Sequence, residues 1–418
     1  MTLHPISEPV VPKISWNNFS AAPHRMMFFA GALQLILPIL FWAIELTGRY
    51  TQIWQPLDLV LPSTFAHGFI MLYGVFIFFI FGFLMTTYPR WMNGPVIPRE
   101  SYIHTFRWMA IGMVIFEIGL FWRIDMAIAG LATYLIGWAL GFHALYRVYK
   151  TAPAKNKNYE TWINTALLLG WAGAACFLVW IITDQIDFLF ISLQAGLWLF
   201  LLPILFTVSH RMLPFFSSSV IKDYTVIQPR WSLPVMAGLC VLHFVLDVNS
   251  QYSWLWVADL PLAGMALYHS YKWNLKSSFV DSLLAVLHIA FLWLGLGLSL
   301  FSVQSLYLLI NEELILGKAP LHAITIGFMS SLLIAMASRV SLGHSGRPLV
   351  LDKTSWYLFL GISLTACLRI AADIQAIHTV YGFSLTIITV VSWLTCMSLW
   401  VLRFAPFYLM TRLDGKVG

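Results

Sequence analysis

The sequence predicts an all-α membrane protein with twelve transmembrane helices and both termini in the cytoplasm. Three observations predict it. Of 418 residues, 60% are apolar and only 10% are charged, where a soluble globular chain carries about 25% charged residues, and the mean hydropathy is +0.79. Twelve apolar runs approach the roughly 20 residues that cross a bilayer. The basic residues alternate: with the N-terminus inside, 20 of the 24 Lys and Arg residues fall on the inner side and only Arg49, Arg123, Lys318 and Arg369 outside, as the positive-inside rule requires.

The runs lie, in order, near 26–46, 64–88, 103–122, 126–148, 161–183, 187–209, 231–248, 254–271, 281–303, 321–340, 355–372 and 379–403. The first is too long for the core of a signal peptide and no small-residue cleavage site follows it, so it reads as a membrane helix. The second is dense in phenylalanine and glycine and ends in the basic "YPRW". A few residues separate the third from the fourth and the fifth from the sixth, which predicts two tight antiparallel hairpins. Pro38 and Pro203 are placed to kink the first and sixth runs. The stretch 304–320 is amphipathic, holds Glu312 and Glu313, and is expected at a surface. Residues 1–25 and 405–418 are expected as polar cytoplasmic tails flanking a membrane domain over 26–404. No internal repeat is evident in the residues.

The formal charge of +6 is scattered between apolar runs, which points to membrane orientation and a lipid partner rather than to nucleic acid. The cysteines Cys176, Cys240, Cys367 and Cys396 sit inside apolar runs with no CxxC or CxxCH spacing. That excludes a disulfide framework, a thiolate zinc site and covalently attached haem, and predicts buried, inert thiols.

The twelve histidines carry the chemical information, because polar groups at membrane depth are costly and tend to be functional. Four lie toward the outer ends of separate helices: His67, His243, His322 and His378. His288 lies two turns into the ninth helix from the inside. Imidazoles on different helices at one level suit iron, copper or zinc, and haem held between two helices takes a His from each. Gly74 and Gly82 fall near the His67 face, where they clear room for a planar cofactor or simply allow close helix packing. His243 has Asp247 at i+4, a placement in which a carboxylate can orient a ligating imidazole. Arg339 and Arg347 flank a glycine-rich turn suited to anions such as haem propionates or lipid phosphates. Glu45, Glu117 and Asp259 are candidates for proton relay, with Asp259 foremost, and each could equally pair with an interfacial base.

The segments "HGFIMLYGVFIFFIFGFLMTTYPRW", "LPILFTVSHRMLPFFSSS", "LHAITIGFMSSLLIAMASRVSLGHSGRPL" and "LRFAPFYLMTRLDGKVG" strongly resemble the NnrS family. The likeness runs from about residue 60 to the C-terminus and is most specific over His322 to Pro348. It implies a multi-pass protein of the bacterial inner membrane that carries haem b and copper and acts on nitric oxide, in nitrosative stress or denitrification. Where many members read HAHEM, this chain reads "HGFIM": His67 matches their first histidine, while Phe69 and Ile70 replace the second His and the Glu. A weaker resemblance, through "HG..M" and a His on helix 10, is to the catalytic subunit of heme–copper oxidases, and implies His67 and His322 as an axial pair. The histidine patterns of the oxidases' copper centre are absent.

These readings converge on a haem- and copper-containing protein that binds and reduces nitric oxide. His67 and His322 are expected on haem iron, and His243, His378 and His288 on copper or a second haem. Arg339 and Arg347 are expected to stabilise the inner side. With no cytochrome or flavin motif in the chain, electrons would come from a quinol or cytochrome partner. The alternatives are a non-catalytic binder of nitric oxide or copper, which turnover would distinguish, and a transporter.

Overall fold

The computed structural model describes residues 13–51 and 53–416, so the first part of the expected N-terminal tail, with His4, lies outside the described residues. Every one of the twelve apolar runs is a helix: α1 (Pro23–Thr51), α2 (Ser63–Trp91), α3 (Arg99–Trp122), α4 (Ile124–Thr151), α5 (Asn158–Thr183), α6 (Ile186–Val220), α7 (Ser232–Val248), α8 (Trp256–Lys272), α9 (Ser282–Asn311), α10 (Ala319–His344), α11 (Lys353–Asp373) and α12 (Gln375–Leu409). Ten of them are long and apolar enough to cross a membrane. The other two, α7 and α8, have 17 residues each, about 25 Å of helix at 1.5 Å per residue, against a hydrocarbon core of about 30 Å. Their shortness goes with the polar residues they carry, Asp247 and His243 on α7, Asp259 and His269 on α8.

Most consecutive helices pack side by side, the third helix packs on the first and fourth, and α12 meets α1. Arg25 at the start of α1 donates through Nη1 to the Asn18 and Met410 carbonyls, both at 2.8 Å. Farther along, Pro38 interrupts α1, and the Leu35 carbonyl beside the break accepts Trp393 Nε1 of α12 at 2.9 Å. The first and last described residues therefore lie at one end of the bundle, here the termini end. The hairpins expected from short loops form: Arg123 alone separates α3 from α4, and α5 turns into α6 through Asp184, held at a φ of 57°. Gly112 of α3 lies against the Tyr134 backbone nitrogen of α4, where any side chain would collide. Such small-residue contact lets two helices approach closely in lipid.

The second, sixth and tenth helices form the interior, together with α9. Each of the three contains a π-helical segment: Ile70–Val75, Ala195–Leu201 and Ala323–Ser330. A π turn alters the regular backbone bonding, and carbonyls it releases must find partners because lipid supplies none. Here tyrosine and serine hydroxyls supply them. Tyr73 Oη donates to the Ser192 carbonyl at 2.7 Å, Tyr134 Oη donates to the Tyr73 carbonyl, and Ser330 Oγ donates to the Thr325 carbonyl at 2.7 Å. A period of four helices thus exists in the backbone where the residues showed no repeat.

Two local expectations change. The surface stretch expected from residue 304 begins later, because α9 runs to Asn311. Its polar residues bind loops instead: Ser305 Oγ donates to the Tyr252 carbonyl at 2.8 Å and Gln304 Oε1 accepts Leu316 N at 3.1 Å. Among the cysteines, Cys240 is buried, Cys176 and Cys396 are half-buried, and Cys367 is exposed on a helix face that the bundle does not cover. Many large apolar side chains on α3, α4 and α12 are also exposed, among them Ile111, Phe121, Val380 and Leu402. On a water-soluble surface such a patch would drive aggregation; on this protein it is the surface for lipid.

Candidate functional site

The end of the bundle opposite the termini holds His67, His243, His322 and His378. Glu45 builds the first part of it. Its Oε1 accepts Arg49 Nε at 2.6 Å and Ser63 Oγ at 2.9 Å, and its Oε2 accepts Leu57 N at 2.7 Å. Both oxygens are spent on tying the end of α1 to the start of α2, so Glu45 is an anchor rather than the relay acid expected of it. One turn into α2, the His67 ring stacks on Trp42 with centroids 4.3 Å apart and planes 12° apart. Arg49 covers Trp42 at 5.2 Å. The His67 Nδ1 is buried with no hydrogen-bond partner.

His322 occupies the first turn of α10. Its Nδ1 lies 2.9 Å from the Lys318 carbonyl and 3.4 Å from Asp373 Oδ2, and Asp373 pairs with Arg369 at 2.7 Å. An Nδ1–H donated to the carbonyl leaves Nε2 with its lone pair outward, the form that binds metals. His67 lies within electrostatic range of His322, Arg369 and Arg49. The structure thus brings the expected haem pair to one end of neighbouring spans, each at the head of a π segment, with two guanidinium groups beside them.

His243 forms a separate centre. It is fully buried, its Nδ1 lies 2.6 Å from Asp259 Oδ1 of α8, and its Nε2 lies 3.7 Å from Asp247. Trp198, inside the π segment of α6, stacks on the imidazole at 3.4 Å, and Phe301 of α9 meets it edge-on at 5.5 Å. Asp247 is 15% exposed, while Asp259 is enclosed and its Oδ2 has no partner. The three side chains form a line from the surface inward. The pairing of His243 with Asp247 is visible in the sequence; the pairing with Asp259, from another helix, is not.

The remaining candidates lie elsewhere. His378 is exposed on the first turn of α12, with Nδ1 2.8 Å from the Ala372 carbonyl. His288 is buried at the termini end, its Nε2 2.9 Å from Ser217 Oγ. Trp198, which carries His243, and Ser217, which carries His288, are roughly 28 Å apart along α6 at about 1.5 Å per residue. The structure does not bring His243, His378 and His288 together, and among the described residues no cluster of three or more His, Cys, Asp or Glu side chains is arranged to hold a metal. Arg339 lies over the Phe216 ring at 4.0 Å and Arg347 over the Phe407 ring at 3.8 Å, both at the termini end. Burial draws the Arg347 guanidinium below its usual range.

The glycines near His67 serve packing. A side chain at Gly82 would meet Phe28 of α1 at 2.7 Å, and one at Gly74 would meet Met113 of α3 at 3.2 Å. The phenylalanines of α2 spread around the helix, Phe69 stacking on Phe177 at 4.2 Å and Phe79 leaning on Phe28 at 5.2 Å. Midway between the two ends, α1, α2, α6 and α10 line a half-open apolar cavity of about 40 Å³, with Phe28, Phe79, Ile204, Leu205, Leu332 and Met336 on its walls. That is room for a small neutral molecule and offers nothing to hold a charged one.

A protein family described as NnrS protein matches residues 18–412. No curated protein matches the chain.

Proposed function

The chain belongs to the NnrS family, and on that premise we propose that this multi-pass membrane protein binds haem b and copper in the bacterial inner membrane and reduces nitric oxide. In this reading α7 and α8 complete twelve spans, and the termini end, where most of the arginines and lysines gather, is cytoplasmic. The observation that carries the proposal is the His67–His322 pair, one imidazole with a buried unpartnered nitrogen and one oriented by a carbonyl and a carboxylate. That donor set fits an iron held between two helices, and Arg49 and Arg369 suit its propionates. Haem bound there would supply a redox-active iron that passes electrons one at a time.

The chain's own residues supply the rest. Two molecules of nitric oxide, two electrons and two protons give one nitrous oxide and one water. Asp247, His243 and Asp259 would form the outer part of a proton route: a proton taken from solvent by Asp247 would reach His243 Nε2, 3.7 Å away, through one water, and Nδ1 would release one to Asp259 at 2.6 Å. The apolar cavity gives the neutral substrate a dry place inside the bundle. A quinol or cytochrome must deliver the electrons. The set His243, His378 and His288 does not fit copper, because the three lie apart and both nitrogens of His243 face carboxylates; no step is assigned to copper there.

The test is turnover. Purified protein, chemically reduced and given nitric oxide without oxygen, is expected to release one nitrous oxide for every two nitric oxide consumed. A haem spectrum that shifts on adding the gas while no nitrous oxide forms would identify a binder that protects other metalloproteins. A reduced-minus-oxidised spectrum with no haem band would remove the proposal.

A further inference from the structure

At the termini end the glycine-rich turn after α10 gathers cations other than its own. Arg339 and Arg347 turn onto Phe216 and Phe407. His344 instead lies against His24 of α1, with ring centroids 4.6 Å apart. Arg25 at the start of α1, Arg90 at the end of α2 and Arg412 after α12 all lie within electrostatic range of both imidazoles. Residues 412–414 are held over the turn. Leu413 N donates to the Ser345 carbonyl at 3.1 Å, and a side chain at Gly346, whose φ is 72°, would meet Asp414 at 2.9 Å.

The charges of this cluster do not balance. Among the described residues Asp414 is the only carboxylate paired with any of the three arginines, through Arg412 at 2.6 Å. Arg25 is 2% exposed. Its Nη1 donates to two carbonyls, which carry no net charge, and its Nε is buried with no hydrogen-bond partner. A buried guanidinium without a counter-charge is costly. The first turn of α1 adds to the imbalance: its cap residue, Ala22, accepts nothing through its side chain, and a helix dipole puts partial positive charge at that end. Burial deepens from the surface inward. Arg90 is exposed, Arg412 and His344 are half-buried, and His24 and Arg25 are buried.

We propose that His24, Arg25, Arg90, His344 and Arg412 form a binding site for a phosphate group carried by the headgroup of an anionic lipid. The forked donors of guanidinium match phosphate oxygens in pairs, and a neutral imidazole adds an N–H. The site stands where the spans end, the level at which basic pockets between membrane helices meet lipid headgroups. Its border is apolar: Leu413, beside Arg412, is exposed, as are Leu349 and Val350 beyond the turn. A phosphate held there would clamp the segment after α12 to α1, α2 and α10. This site does not depend on the reduction of nitric oxide.

Native mass spectrometry and thermal unfolding of the whole purified protein in detergent, with phosphatidylglycerol, phosphatidylcholine or inorganic phosphate added, test the proposal. The parent protein is expected to bind phosphatidylglycerol at least tenfold more tightly than phosphatidylcholine and to unfold at a higher temperature with it. Arg90→Gln and Arg412→Gln are each expected to weaken that binding by about 10-fold, with haem content unchanged. Arg403→Gln, at the same end but paired with Asp352 at 2.8 Å, is expected to leave it within about twofold, because an exposed ion pair contributes little. Asp414→Asn removes the competing carboxylate and is expected to tighten binding, a gain that serves if the other variants fail to fold. Phosphatidylglycerol bound no better than phosphatidylcholine, or weakened equally by Arg403→Gln, would overturn the site. Inorganic phosphate that stabilises the protein where phosphatidylglycerol does not would overturn the lipid as its source. Haem lost from Arg90→Gln and Arg412→Gln along with the lipid would assign the cluster to the cofactor and overturn the proposal.

Discussion

The two ends of the bundle treat their histidines differently. At the end opposite the termini, His243 lies between Asp259 and Asp247, and His322 lies against a carbonyl and Asp373. At the termini end, four buried histidines each meet a hydroxyl: His24 with Thr86 at 3.5 Å, His210 with Tyr159, His269 with Ser232 and His288 with Ser217. Among the described residues no carboxylate pairs with any of those four. A carboxylate beside an imidazole stabilises the added proton and a hydroxyl does not. On the proposed reading the His243 group, set between two carboxylates, is suited to pass protons, while the termini end offers its buried imidazoles no carboxylate among the described residues.

Four substitutions probe this contrast, from the largest effect to the smallest. Asp259→Asn keeps the shape of the His243 partner and removes its capacity to take a proton. Nitrous oxide production is expected to fall by about 10²-fold or more, in the range of a lost general acid–base group, with the haem spectrum unchanged; an unaltered rate would break the contrast. Glu45→Gln removes the charge that Arg49 faces from a buried site, and thermal unfolding in detergent is expected to shift by the equivalent of about 3 kcal/mol. Ser217→Ala takes the hydroxyl from His288 at the other end. Turnover is expected to stay within about twofold and stability to fall by about 1 kcal/mol; a drop as deep as that of Asp259→Asn would show that both ends carry protons. The smallest effect belongs to Asp414, whose carboxyl Arg412 holds well below the usual carboxylate range. Its ion pair contributes above the ordinary carboxylate range and is lost only as pH falls through the lowered value. Because the pair lies at the surface, partly exposed and screened by salt, Asp414→Asn is expected to lower the thermal midpoint at pH 7 by less than Ser217→Ala does.

Much of this architecture was legible in the residues. Hydropathy located all twelve helices, and loop length located both hairpins, because apolar runs and short connections are local signals. The common level of His67 and His322 was legible because each stands near the start of its span; their pairing on one iron is what the resemblance implies. The π segments were not legible. They depend on carbonyls captured by Tyr73 and Tyr134, and nothing in the identity of a tyrosine says where its hydroxyl ends up. His243 and Asp259 belong to different helices, as do His24 and His344, so only packing reveals either pair. The glycines below His67 read equally as a porphyrin face or a packing face, and Phe28 against Gly82 decides for packing. Gln304 and Ser305 suggested a surface segment, yet they are helical residues whose side chains hold neighbouring loops.

The account turns on whether the imidazoles of α2 and α10 share one iron. Redox difference spectra and haem content of His67→Ala and His322→Ala, each purified as an intact membrane protein, test it most directly. Loss of the same haem band in both variants is the predicted result. A band that survives unchanged in both would contradict the account.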